Sequence, residues 1–139
     1  MAKNTKTCSK GANETPSRQI RLKQWPCKIS FVPEYAPYFD GAELLIAADC
    51  TAYAYGGLHS EFMKNSITLI GCPALDSLDM QKKLSAIISS NDIRAVKILK
   101  MDVACCSRLE AIIKDAIKSS EKNIPLEIIT VSTDGKILV

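Results

Sequence analysis

The sequence predicts a single three-layer α/β domain with a mostly parallel sheet. Three observations carry this expectation. Short, near-continuous apolar runs recur along the chain, segments with helical hydrophobic spacing lie between them, and 139 residues suit one core rather than two. Hydrophobic residues make up 47% of the chain and charged residues 24%, with 6 glycines and 6 prolines, which excludes collagen-like, low-complexity and wholly disordered chains. No stretch approaches the roughly 18 uninterrupted apolar residues of a spanning helix. The opening Met-Ala-Lys-Asn-Thr-Lys-Thr-Cys has no apolar stretch to act as a signal peptide. A cytoplasmic protein with no membrane contact is therefore expected.

Residues 1–23 are polar and without hydrophobic periodicity, so they read as a basic N-terminal arm, and residues 24–139 as the α/β domain. Lys3, Lys6, Lys10, Arg18, Arg21, Lys23 and Lys28 stand against Glu14 alone in the first 28 residues, whereas the remainder is acidic on balance. A single aromatic, Trp25, and the lack of a spaced arginine motif favour a solvated arm over a nucleic-acid contact.

From Lys28 onward, apolar runs at 29–32, 44–48, 67–70, 95–99 and 127–131 read as strands. The link from Val32 to Leu44 is short for a crossover helix and has room for one turn at 33–39. Tyr55, Leu58 and Phe62 share a helical face, as do Leu84, Ile87 and Ile88. Leu109, Ile112, Ile113, Ala116 and Ile117 make the clearest stripe. Strands alternating with such helices give βαβ units and a parallel sheet. Thr133-Asp134-Gly135-Lys136 is a hairpin signal that adds 137–139 as an antiparallel C-terminal edge strand.

Six cysteines are many for a chain of this size: Cys8, Cys27, Cys50, Cys72, Cys105 and Cys106. In a reducing compartment they point to metal or thiol chemistry rather than to bridges. Cys50 follows the run 44–48, Cys72 follows 67–70, and Cys105-Cys106 follows 95–99. Three successive parallel strands that end in cysteine would bring their loops to one edge of the sheet, with neighbouring strands about 4.8 Å apart. Ligands bind at that edge in open α/β sheets.

Ser107-Arg108-Leu109-Glu110 has the form of a capping box and predicts a helix starting at Ser107, with the tandem cysteines just before its N-terminus, where the helix dipole favours thiolate. Thr51 and Asp76 are expected to cap the helices after Cys50 and Cys72. Gly71 allows a close backbone approach, and Pro73 stiffens the chain beside it. Structural zinc usually takes Cys-x-x-Cys pairs, which are absent here. Cysteines delivered singly from separate loops suit a larger object, an iron–sulfur cluster, with zinc as the alternative.

Gln24-Trp25-Pro26, Ala36-Pro37-Tyr38-Phe39, the run from Leu44 to Tyr55 (LLIAADCTAYAY), Leu69-Ile70-Gly71-Cys72-Pro73-Ala74-Leu75-Asp76 and Met101-Asp102-Val103-Ala104-Cys105-Cys106 together resemble the C-terminal part of a family of ferredoxin-like 4Fe–4S iron–sulfur cluster-binding proteins of anaerobic bacteria. The resemblance covers most of the chain. The repeated Cys-x-x-Cys-x-x-Cys motifs of that family's ferredoxin module are missing, so what is implied is the companion domain alone, its ferredoxin-type partner being elsewhere. The resemblance implies a 4Fe–4S cluster held by Cys50, Cys72, Cys105 and Cys106, with Cys8 as a further ligand in Cys-Ser-Lys-Gly. Cys27 falls where an apolar residue is expected, and it is read as structural, at the start of the first strand on the edge opposite the site.

His59, the one histidine, is read as lying on the solvent flank of a short helix. Asp49 and Asp102 precede cysteines and can accept hydrogen bonds around a bound group or tune its charge. The leading functional expectation is a cluster-binding module for electron transfer or for redox or cluster sensing with a partner protein, rather than a stand-alone enzyme. Its rivals are a thiol-based sulfur-transfer or redox enzyme acting through Cys105 and Cys106, and a zinc-binding interaction domain.

Overall fold

A computed structural model describes residues 19–76 and 79–138. Five strands form one sheet: β1 (Ala42–Ala48), β2 (Ile67–Gly71), β3 (Ile93–Met101), β4 (Leu126–Val131) and β5 (Ile137–Leu138), in the spatial order β2-β1-β3-β4-β5. The first four run parallel, with Leu44 opposite Ile67 and Val96, and Val96 opposite Leu126. β5 pairs antiparallel to β4 through the turn Ser132–Lys136, where Gly135 takes a positive φ of 87°. The three-layer, mostly parallel architecture with an antiparallel C-terminal edge is therefore as the sequence predicts.

Leu44, Leu45, Ile46 and Ala47 are all buried, so β1 is covered on both faces, and this is why its sequence is a continuous apolar run. The chain steps from β1 to β2 in one direction and back past β1 to β3 in the other. Right-handed crossovers then place the two connections on opposite faces. One connection holds the short helix α1 (Thr51–Ala54) and a π-helical turn, Leu58–Met63; the other is α2 (Met80–Ser90), which packs beside α3 (Ala104–Ser119). A 3₁₀ turn at Pro37–Phe39 fills the short link before β1 and buries Phe39.

The run at 29–32 is not a strand. Lys28 makes an isolated parallel bridge to Ile70, and the chain then turns, with the Phe31 and Val32 N–H groups donating to the Lys28 carbonyl. Ile29 and Val32 are buried while Phe31 is 73% exposed, a period of three rather than two. Pro33, which has no N–H to donate, follows at once. The segment before this turn runs along β2: Gln24 Nε2 donates to the Thr68 carbonyl, and Cys27 and Ile29 bond to Ile70. It covers an edge that would otherwise present unpaired peptide groups. Leu22 packs against the core, so the arm's last residues belong with the domain.

Candidate ligand-binding edge

The carboxyl ends of β1, β2 and β3 lie on one edge, and Cys50, Cys72 and Cys105-Cys106 follow them. Because the chain leaves β1 toward β2 and later returns to β3, the switch point lies between the ends of β1 and β3. Cys50 follows β1 on one side of that switch point and the tandem cysteines follow β3 on the other, while Cys72 is one strand further out. Cys50 and Cys105 are exposed, Cys72 is half-buried and Cys106 is buried, and all are free thiols. Burial pushes the Cys106 thiol pKa up, partly opposed by a backbone hydrogen bond at Met101; the neighbouring Cys105 and Cys50 raise it further. Among the described residues, no three His, Cys, Asp or Glu side chains are grouped tightly enough to hold a single metal ion. Cys8 lies outside the described residues.

Local details differ from the sequence expectations. α3 begins at Ala104 with Val103 at its cap position, so Cys105 and Cys106 lie within its first turn rather than before it. Glu110 does not close a capping box; it pairs with Lys114 at 2.7 Å and Lys100 at 3.1 Å, which hold its pKa below the ordinary carboxylate value. Cys50 takes the cap position of α1, and the Thr51 hydroxyl donates back to the Ala48 carbonyl. Asp79, not Asp76, caps α2 by accepting from the Lys82 N–H. Tyr55 ends α1, so the expected Tyr55–Phe62 helix is split in two. His59 is half-buried, and its Nδ1 accepts a hydrogen bond from the Arg21 N–H.

Cys27 is the main relocation. Its carbonyl accepts the Ile70 N–H one residue before the end of β2, which puts it near the cysteine edge and not opposite to it. The reason is the missing first strand: the segment docks beside the end of β2 instead of entering the sheet from its amino end.

Sequence reasoning missed Lys28. Its Nζ lies 2.7 Å from Asp49 Oδ2 and 3.1 Å from Asp76 Oδ1. Asp76 Oδ2 in turn accepts the Cys72 N–H at 2.8 Å, and the Asp49 N–H donates to the Gly71 carbonyl. Burial disfavours the Lys28 charge, but the hydrogen bonds and charges of Asp49 and Asp76 outweigh it and hold its pKa above the ordinary lysine value. Asp49 Oδ1 is buried without a hydrogen-bond partner among the described residues. The only sequence signal was a basic residue next to a cysteine, and nothing local marks its partners, which lie 21 and 48 residues away.

Residues 36–139 match a family model, that of the Rossmann-like domain. The chain belongs to the Rossmann-like domain family. It is also 30% identical over 117 residues to an uncharacterized protein of Archaeoglobus fulgidus, covering 84% of this chain and 82% of that one. No solved structure matches. The Rossmann-like match begins at Ala36, after the segment carrying Cys27 and Lys28. No helix among the described residues is long and apolar enough to cross a membrane.

Proposed function

We propose that this Rossmann-like domain is an iron–sulfur cluster-binding protein that serves electron transfer, or redox or cluster sensing, with a partner protein. The observation that carries the reading is the delivery of Cys50, Cys72 and Cys105-Cys106 by three adjacent parallel strands to one edge, around the switch point. A thiolate donor set suits iron and sulfide. A lone zinc ion needs its ligands gathered tetrahedrally around one point, whereas these cysteines come from the ends of three separate strands, with Cys105 and Cys106 together at the start of α3, and suit a wider object.

When bound, a cluster would supply one-electron chemistry at this edge. The chain's own residues would do the rest. Cys50, Cys72, Cys105 and Cys106 would bind, with Cys8 as a further candidate ligand, and the N-terminal end of α3 would favour the negative charge of the thiolates there. The buried stretch Leu44–Ala48 of β1 and the buried Val96, Ile98, Leu99 and Met101 of β3 behind them make a rigid base.

The test is anaerobic reconstitution with ferrous iron and sulfide, followed by measurement of iron and acid-labile sulfide per chain. A brown protein containing both is expected. A colourless protein that takes only zinc would support the zinc-binding alternative, and one that takes no metal but cycles a disulfide would support the thiol enzyme. Either would overturn this reading.

A further inference from the structure

We propose that Lys28 is a positioning residue for the cysteine edge: its ammonium ties the loop after β1 to the loop after β2 and thereby fixes Cys50 relative to Cys72. The inference rests on the reading of this edge as the binding site. Asp49, the residue before Cys50, and Asp76, whose other oxygen holds the Cys72 N–H, are both bound by Nζ. One cation therefore reaches both thiol-bearing loops through one carboxylate each. Neither aspartate caps a helix, since Asp79 and Cys50 occupy those positions, so helix starts do not account for them. Lys28 is itself fixed by its backbone bridge to Ile70 and by the turn that follows, so the ammonium projects from an anchored point.

Cys50 and Cys72 lie 22 residues apart in sequence, and among the described residues no sheet hydrogen bonds join their loops past Asp49 and Gly71, so beyond that point the Lys28 ammonium is what links them. Without the ammonium, Asp49 and Asp76 would face each other as like charges and drive the loops apart. The result is a wall that is assembled before any ligand arrives, which reduces the ordering cost of binding.

The test uses the full chain, reduced and free of iron and sulfide, so that its outcome is independent of cluster binding. Hydrogen exchange and iodoacetamide labelling at fixed pH are compared for wild type, Lys28→Met and Lys28→Arg. In Lys28→Met the Cys72 amide should exchange about tenfold faster or more, as expected when a charge-assisted bond is loosened. Labelling of Cys50 and Cys72 should rise with it, while Cys105 labelling and exchange in β1 and β3 stay at wild-type values. Lys28→Arg should restore most of the protection.

Unchanged Cys72 exchange and labelling in Lys28→Met would overturn the proposal, as would an arginine variant no better than methionine. If Lys28→Met loses protection throughout β1 and β3 and so fails to fold, Asp76→Asn carries the test. It should speed Cys72 exchange and labelling, and wild-type behaviour there would overturn the proposal. A wild type that shows the Lys28 effect but takes up no iron would overturn the cluster reading alone.

Discussion

The two ends of the sheet are built on opposite terms. At the amino end, Asn91 is 6% exposed and fully satisfied: its Nδ2 donates to the Glu34 and Ile87 carbonyls, and its Oδ1 accepts from the Ala36 N–H. Lys122 adds bonds to the Ile88 and Asn91 carbonyls, which closes the end of α2. At the carboxyl end, the thiols of Cys50, Cys72, Cys105 and Cys106 are free, Asp49 Oδ1 has no partner among the described residues, and Tyr53 is 94% exposed. One end uses Asn91 and Lys122 to close the fold. The other ties its loops through Lys28 but leaves its thiols unbridged and Asp49 Oδ1 unpaired among the described residues, as expected where a ligand or partner completes the structure.

The largest expected effect tests the amino end. Asn91→Ala removes three hydrogen bonds from a buried position and leaves their partners unsatisfied, so it should cost about 2–4 kcal/mol in urea unfolding. A cost under about 1 kcal/mol would mean that this network is not a structural lock. Next comes Gly71→Ala at the other end. An added Cβ there would lie 2.6 Å from Met80 Cε and 3.0 Å from Ile29 Cδ1. Overpacking of this kind costs about 1–3 kcal/mol, toward the lower figure because the methionine end can move. The same residue at Gly56, where nothing lies within 4 Å, should cost clearly less.

Cys106→Ser should cost about 1 kcal/mol, since it replaces a buried thiol with a hydroxyl that desolvates poorly. Cys50→Ser, at an exposed position, should stay within about 0.5 kcal/mol. Equal costs would mean that the carboxyl edge is ordinary core and not a reserved rim.

The strand ends were largely legible in the sequence, and their ties were not. Runs such as Leu44–Ala48 and the stripe from Leu109 to Ile117 announce themselves because burial on both faces, or along one stripe, imposes a local period. Cys50, Cys72 and Cys105-Cys106 inherit their common edge from that topology, so their placement could be reasoned. Residues 29–32 misled because a four-residue apolar run fits a buried turn as well as a strand, and the error carried Cys27 to the wrong end. Lys28 was invisible for another reason. Its ion pairs span 21 and 48 residues, and no local pattern encodes them. Ser107 and Glu110 matched a capping box by spacing alone, but Lys100 and Lys114 compete for the same carboxylate and win.

The smallest effects are in the pH dependence of the carboxyl edge, where Lys28 and Glu110 lose their charges at opposite ends of the pH range. The Lys28 pKa is raised, so its tie is complete below the ordinary lysine value and is lost as pH rises through the raised one. The Glu110 pKa is lowered by Lys114 and Lys100, so its contribution is present above the ordinary carboxylate value and is lost as pH falls through the lowered one. Hydrogen exchange should show the Cys72 loop opening in alkali and the first turns of α3 loosening in acid. A Cys72 loop that does not open as Lys28 loses its charge in alkali, or an α3 start that does not loosen as Glu110 is protonated in acid, would mean that these pairs are not what holds the two segments.

The decisive measurement is iron and acid-labile sulfide per chain after anaerobic reconstitution of wild type, Cys50→Ser, Cys72→Ser and the double variant Cys105→Ser/Cys106→Ser, with Lys64→Ala, at an exposed position away from the cysteine edge, as a folded surface control. Wild type and Lys64→Ala should load alike, and each cysteine variant should lose most of its iron and sulfide together while keeping the wild-type fold. Cysteine variants that load as well as Lys64→Ala, or a wild type that binds no iron, would contradict the cluster reading.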